Sequence, residues 1–305
     1  MRINLKMKNM LNYRDNLNAG DRVVVIGAGG FIGRNIVSRL EKEGIKADKI
    51  SSANLNLVEP DSVKILAEKF SDCAAVIMLS CVTPDKGRGA EVFIRNVVMA
   101  KHVADALKMQ TNIPHLIYFS SDAVYNFDTS LVSEKTLAAP IDLYGAMHRS
   151  RELMFEELCK DRLAVIRPTL VYGEGDTHNS YGPNRLRREA FRDGSITLFG
   201  AGEDTRAHIF IDDLVALTWR VLQSGFVGVL NAAPDVSVTY AELAQKISAC
   251  FKKPISMQSK PRAAEPNHRF FDAAFCYESF PGFVFTSLEE GLEITINSME
   301  KNPNA

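Results

Sequence analysis

The segment Val23-Val24-Val25-Ile26-Gly27-Ala28-Gly29-Gly30-Phe31-Ile32-Gly33 constrains this chain more than any other. A β-branched apolar run reads as a buried strand, glycines follow at 27, 30 and 33, and Arg34 to Leu40 reads as a helix. Glycine permits a tight turn and lets backbone approach a ligand, while a helix start offers free N–H groups and the positive end of a dipole. Strand, glycine turn and helix start in that order suit the pyrophosphate of a dinucleotide.

Further along, short apolar runs alternate with helical patterns. Ala74–Leu79, His115–Phe119 and Leu163–Ile166 read as strands, the last stopped by Arg167-Pro168; Val92–Met109 and Tyr144–Cys159 read as helices. Repeated βαβ order predicts an α/β fold, a Rossmann-type doubly wound parallel sheet with helices on both faces. From Gly173 to Gly202 the chain turns rich in Gly, Asn, Asp and Arg, with a basic cluster at Arg185, Arg187 and Arg188. A helix over Asp212–Leu222 and a strand over Val227–Asn231 bring it back to the sheet. Thr239 with Glu242 predicts a capped helix to about Phe251, and a last helix begins near Leu288. The expected division is an N-terminal extension over 1–20, a Rossmann domain over 21–172, and a smaller, interleaved, mainly substrate-binding region over 173–305. About 209–251 of that region returns to the sheet.

With 305 residues, 46% of them hydrophobic, the chain can bury a substantial core. A formal net charge of −1 recommends neither nucleic acid nor an anionic membrane as partner. The five cysteines are scattered with no CxxC pair, as expected of reduced thiols in the cytoplasm, and the six histidines show no metal-ligand spacing. No metal is expected. Met1 to Asp21 lacks the apolar core of a signal peptide, and no run is long enough to span a bilayer.

Ser120-Ser121-Asp122-Ala123-Val124-Tyr125 follows a strand, and residues at the carboxyl ends of parallel strands face the ligand crevice. Tyr144 and His148 lie one helical turn apart and can share a face. The glycine motif, Ser121, Tyr144, Arg167-Pro168-Thr169-Leu170-Val171-Tyr172-Gly173 and Arg206-Ala207-His208-Ile209-Phe210-Ile211-Asp212-Asp213 occur in one order. In that order the chain resembles the extended short-chain dehydrogenase/reductases, the NAD(P)-dependent sugar-nucleotide epimerase/dehydratase group, from about Arg22 to Leu292.

The resemblance implies roles. Gly27, Gly30, Phe31, Ile32 and Gly33 frame the cofactor pyrophosphate. Asn56 and Leu57 stand where the family meets adenine, and Leu79, Ser80 and Cys81 lie along the cofactor. Asn96, Tyr144, His148 and Arg167 complete the cofactor set. Ser121, Tyr144 and His148 are the catalytic group, Tyr144 passing the hydroxyl proton as hydride moves. Asp122, Asn179, Asn184 and Arg206 face the substrate, His178 being a further polar candidate in the same loop. A guanidinium suits a diphosphate better than an ammonium does. A homodimer through the helices over 92–109 and 144–159 is implied, with Phe93, Val97, Phe155 and Leu158 as contributors. So is a place in polysaccharide precursor synthesis.

Two departures stand out. The family's Tyr-x-x-x-Lys is Tyr144-x-x-x-His148, and a histidine is mostly neutral at pH 7. Either the enzyme is slow, or His148 is kept charged, or Tyr144 acts differently; if the missing charge limits turnover, His148→Lys raises it. The acid expected about 20 residues beyond the glycines to bind ribose is also missing, Ile50-Ser51-Ser52-Ala53-Asn54 standing there instead. The cofactor is therefore NAD or NADP, with a slight lean to NADP, for which Arg34 or Lys49 could supply charge. Asp122 is followed by Ala123 where 4,6-dehydratases carry glutamate, which disfavours that elimination. Epimerisation and reduction of a 4-keto nucleotide sugar both stay open. A non-catalytic NAD(P)-binding sensor or scaffold, and a reductase of a non-sugar carbonyl, are the alternatives.

Overall fold

The structure is a computed structural model, and it describes residues 17–126, 128–176, 179 and 182–301. Most of the expected N-terminal extension, residues 1–16, lies outside the described residues, as does His178. The chain falls into two compact units. The first holds the chain up to Val124, Ala138–Arg167 and Val215–Leu230; the second holds Tyr125–Leu137, Pro168–Leu214 and the chain from Asn231 onward.

In chain order the first unit runs β1 (Arg22–Ile26), α1 (Phe31–Lys42), β2 (Lys46–Ile50), α2 (Ser62–Phe70), β3 (Ala75–Met78), α3 (Ala90–Lys108) and β4 (His115–Phe119). The chain leaves it for β5 (Leu131–Val132), then returns with α4 (Leu143–Cys159) and β6 (Leu163–Pro168). Then come β7 (Leu170–Tyr172), α5 (Gly182–Asp193), β8 (Ser195–Phe199), β9 (Thr205–Phe210), α6 (Ile211–Ser224) and β10 (Gly228–Ala232). The order closes with β11 (Ser237–Thr239), α7 (Tyr240–Ala249), β12 (Ser256–Lys260), β13 (Phe270–Phe271), α8 (Ala274–Ser279) and α9 (Leu288–Lys301).

Among the described residues the main sheet has six strands in the order β10-β6-β4-β3-β1-β2, parallel from β6 through β2. Val23 to Ile26, Val76 to Met78 and Leu116 to Tyr118 are wholly buried. Near-continuous apolar runs are what a sheet covered on both faces requires. The order reverses between β1 and β3, and in such sheets the ligand crevice opens there, past the carboxyl ends of the strands. The expected doubly wound sheet is present.

Three local features differ from the sequence reading. Strand β6 runs through Arg167 and Pro168 rather than stopping before them. A proline as the last residue of a strand gives up no ladder bond inside it. The stretch read only as polar contains α5 and β8, so Asn184 stands on a helix rather than in a loop. Residues 125–137, placed by sequence inside the first domain, belong to the second unit. At Thr239 the capping box forms as expected, the threonine hydroxyl accepting from Glu242 N and the Glu242 carboxylate from Thr239 N.

Helix α4 starts under tight control. Asp142 caps it by accepting from Gly145 N at 2.7 Å. A Cβ on Gly145 would lie 2.1 Å from the Ala123 carbonyl oxygen, so only glycine lets the helix start approach the Ser121 turn this closely. Gly145→Ala is expected to force these backbones apart, cost about 1–3 kcal/mol of stability and displace Tyr144 from Ser121. A lowered melting temperature together with lost turnover checks this.

Candidate active site

The glycine turn takes its shape from β1. Gly27 has φ +98°, and a Cβ there would meet Ser80 N at 3.0 Å and the Leu79 carbonyl carbon at 3.1 Å. On Gly33 a Cβ would fall 2.2 Å from the Gly27 oxygen. The turn therefore lies flat against Leu79–Ser80 with α1 packed into it, a backbone-lined cradle of the kind a pyrophosphate needs. The first bond inside α1 runs from Arg34 N to Gly30 O at 2.9 Å; a helix leaves the amides before that point, here at Phe31, Ile32 and Gly33, for a ligand. The structure thus brings together Gly27, Gly30, Phe31, Ile32, Gly33, Leu79 and Ser80.

Asn56 holds its own turn, its amide donating to Glu59 at 3.1 Å and its oxygen accepting from Val58 N at 3.4 Å. Leu57 is 5% exposed, its side chain in the core and its carbonyl accepting from His102. The side chain of Leu57 therefore belongs to the core rather than to a ligand site. Lys49 is paired with Glu41 at 2.7 Å, and Arg34 donates to Gly29 O at 2.7 Å.

Beside the cradle is an open cleft of about 660 Å³, lined by Val82, Phe93, Asn96, Asp142, Tyr144 and Met147 among others. Asn96, almost wholly buried, pins the loop after β3 with both ends of its amide, accepting from Val82 N at 2.8 Å and donating to Val82 O at 3.1 Å. Burial pushes the neighbouring Cys81 thiol up, so it stays protonated. Ser121 accepts from Ala123 N at 3.2 Å and reaches Asp122 at 3.4 Å, both residues half-buried on the turn that Gly145 holds.

His148 is 2% exposed, its Nδ1 lies 2.7 Å from the Tyr118 hydroxyl, and its ring meets Tyr144 edge-on at 4.7 Å. Burial, aided by the Arg151 charge, takes its pKa well below the ordinary histidine value. Burial thus works against a charged His148. Arg167 is buried too, its fork closed on Glu152 at 2.8 and 2.7 Å. It frames the site and its guanidinium is turned to Glu152 rather than to the cleft.

In the second unit, a cleft of similar size is lined by Arg185, Leu198, Phe199, Gly202, Asp204, Arg206 and Tyr240. Arg206 is anchored by donation to Thr205 O and Asn267 O, both at 2.8 Å. Arg185 stands over the Phe199 ring at 5.9 Å and pairs with Glu189 at 2.6 Å. Asn184 does not join this cleft. It is 1% exposed, accepts from Gly173 N and donates to Val171 O, and so braces the chain around α5. Asn179 is exposed and accepts from Arg188 at 3.1 Å. Among the described residues no group of His, Cys, Asp and Glu could hold a metal, and no helix is long and apolar enough to cross a membrane.

Sequence reasoning missed Tyr118, Arg151, Glu152 and the aromatic pair Phe199 and Tyr240. Arg151 was open to detection, because it lies seven residues beyond Tyr144 and so on the same helix face.

Histidines held neutral by burial link stability to pH. His208 is taken down to about 3 and His148 well below its ordinary value. Unfolded histidine takes a proton below about pH 6.5, so the unfolded state then binds more protons than the folded one. Stability is expected to be full above that pH and to fall as pH drops toward the folded values. Melting curves at pH 7.5, 6 and 5 check it; an unchanged melting temperature contradicts it.

Comparison with known proteins agrees with this geometry. Residues 23–233 match the NAD dependent epimerase/dehydratase family. A dTDP-4-dehydro-6-deoxy-D-allose reductase of Streptomyces bikiniensis is 24% identical over 291 residues, covering 80% of this chain and 85% of its own. A GDP-L-fucose synthetase of Naegleria fowleri bound to NADP superposes with TM-score 0.80 at 17% identity, over 96% of this chain and 97% of that one. The UDP-glucuronic acid 4-epimerase of Bacillus cereus, in complex with UDP-glucuronic acid and NAD, gives 0.78 at 20% identity over 92% and 99%. The two structural likenesses establish the fold; the family match, over most of the chain, establishes that this protein belongs to the NAD dependent epimerase/dehydratase family.

Proposed function

We propose that this protein moves a hydride at a sugar carbon of a nucleoside-diphosphate sugar, as a reductase of a 4-keto sugar or as an epimerase. The observation that supports it most is the close approach of Gly145 to the Ala123 carbonyl, which brings the start of α4, with Tyr144 in the cleft wall, against the turn that carries Ser121. The glycine cradle and the cleft residues fit a nicotinamide dinucleotide, which when bound supplies or accepts the hydride. Ser121 then holds the sugar oxygen, and Tyr144 gives or takes its proton. Asp122 lacks a glutamate neighbour, since Ala123 can take no proton, so elimination of water has no base at this turn. In the second unit Arg206 and Arg185 take the diphosphate, and Phe199 and Tyr240 offer flat apolar faces to a base. The Streptomyces relative's named activity favours reduction.

Two further readings go with this one. The protein works as a homodimer through α3 and α4, where Ile94 is 57% and Leu153 50% exposed. Phe155 does not contribute, being wholly buried in its own core. The cofactor is NADP in preference to NAD. The turn after β2 carries Ser51 and Ser52 with no acid to repel a 2′-phosphate, and Arg34 rather than the Glu41-paired Lys49 supplies charge.

Purified protein with NADPH or NADH and a panel of 4-keto and ordinary nucleotide sugars tests the activity. Stoichiometric cofactor oxidation identifies the reductase, interconversion without net oxidation the epimerase, and tight cofactor binding with neither overturns the proposal. Arg34→Ala is expected to weaken NADPH about tenfold, the worth of one charged hydrogen bond, and to leave NADH almost unchanged. Equal weakening of both would remove the NADP preference.

A further inference from the structure

Past the end of β3 the chain leaves the sheet as a short strip, Leu79 to Val82. Leu79 N still donates to Ile26 O, at the end of β1, at 2.8 Å. On one side the strip touches the glycine cradle, since a Cβ on Gly27 would meet Ser80 N at 3.0 Å. At its far end Val82 lines the cleft together with Asn96 and Tyr144. Backbone groups that leave a sheet need other partners when they are buried. Here two side chains supply them. The Asn96 amide takes both polar groups of Val82, at 2.8 and 3.1 Å, and Ser80 O accepts from Arg151 Nη1 at 2.9 Å.

Arg151 is 1% exposed, and the rest of its fork is spent on Asn96. Nε and Nη2 donate to Asn96 O at 2.9 and 2.6 Å, and Nη2 lies 3.4 Å from Asn96 Oδ1, the atom that accepts from Val82 N. One guanidinium therefore reaches the strip twice, directly at Ser80 and through Asn96 at Val82. A planar fork fixes the directions of two separate carbonyls, which the freely turning donors of an ammonium do not. Burying a cation costs free energy that an apolar side chain in the same place would not. What this arginine contributes is the geometry it holds. Its helix is also the one that meets the Ser121 turn. Gly145 of α4 packs against the Ala123 carbonyl, and Arg151 follows six residues later, about 9 Å along a rigid helix.

We propose that Arg151 is a positioning residue for hydride transfer, tying the strip Ser80–Val82 to α4 and so setting the spacing between the cofactor cradle and Tyr144. It acts through Ser80 and Asn96 rather than on the reacting atoms. One helix then registers both partners of the reaction, the proton-passing group near its start and the wall of the cradle two turns on. The consequence for turnover rests on the reading of Tyr144 as the group that passes the proton; the consequence for the strip and for cofactor affinity does not.

The test begins on the full chain without cofactor, by hydrogen–deuterium exchange of the wild type and Arg151→Met. Peptides over the strip and over the glycine turn are expected to exchange faster in the variant, and peptides over α7 in the second unit to keep their rates. Titration with NADPH and NADH is expected to show affinity about tenfold weaker, the loss of a preorganised site, while binding of UDP, dTDP and GDP stays at its wild-type level. In turnover, kcat is expected to fall on the order of a hundredfold, the cost of a misplacement of about 1 Å, with KM for the nucleotide sugar unchanged. A residue that only stabilises would lower the melting temperature and leave the exchange of the strip, the cofactor affinity and kcat of the folded protein as they are. Arg151→Lys keeps the cation and loses the fork, and is expected to show the same losses in part. Wild-type exchange and cofactor affinity in folded Arg151→Met, or in Arg151→Lys where the methionine variant does not fold, overturn the proposal. Failure of the wild type to turn over any nucleotide sugar would overturn the functional reading instead, leaving exchange and cofactor binding to decide this one.

Discussion

Two adjacent and oppositely charged residues in the middle of α4 hold the catalytic half of this protein together. Arg151 ties the helix to Asn96 of α3 and to Ser80 beyond β3. Glu152, wholly buried, ties it to Arg167 of β6 and to Ser120 beyond β4, the serine donating at 2.6 Å. Removing one member of a buried charged cluster costs about 3–5 kcal/mol, because the partner is left unpaired, whereas an apolar replacement of the whole cluster can be neutral. The value of these charges therefore lies in geometry. They fix the rotation of α4 about its axis, and that rotation decides what Tyr144 and His148 face.

The other fixed element is steric. Gly27, Gly33 and Gly145 each stand where a Cβ would strike backbone. At the first two the result is a flat cradle at the point where the sheet order reverses; at the third it is the approach of α4 to the Ser121 turn. Backbone carbonyls cannot move aside as a side-chain tip can, so these contacts set distances to a fraction of an ångström. The cradle and the start of α4 are thus rigid parts of one scaffold, as differential stabilisation of a transition state requires.

A histidine at the fourth position after the tyrosine looked, in isolation, like a weakened site. Its burial makes the matter sharper, since a neutral imidazole has no charge to offer Tyr144.

The parallel sheet, the glycine turn, the helices carrying Asn96 and Tyr144, and the capped helix at Thr239 were all legible in the sequence. Each is written in local terms: apolar periodicity, a steric need for glycine, a hydroxyl three residues before a carboxylate. Helix α5 was not legible, because its arginines face charge partners and carbonyls rather than a continuous apolar stripe. Nor were the separate fates of Arg167, Leu57 and Asn184, each polar or apolar in the expected pattern yet committed to the frame. By itself the sequence determined which groups are present and where along the chain they stand. Only the tertiary structure decided their surroundings, the burial of His148, the tie of Arg151 to Asn96 and Ser80 and the closed fork of Arg167, because desolvation and hydrogen bonding depend on neighbours that the chain brings in from far away.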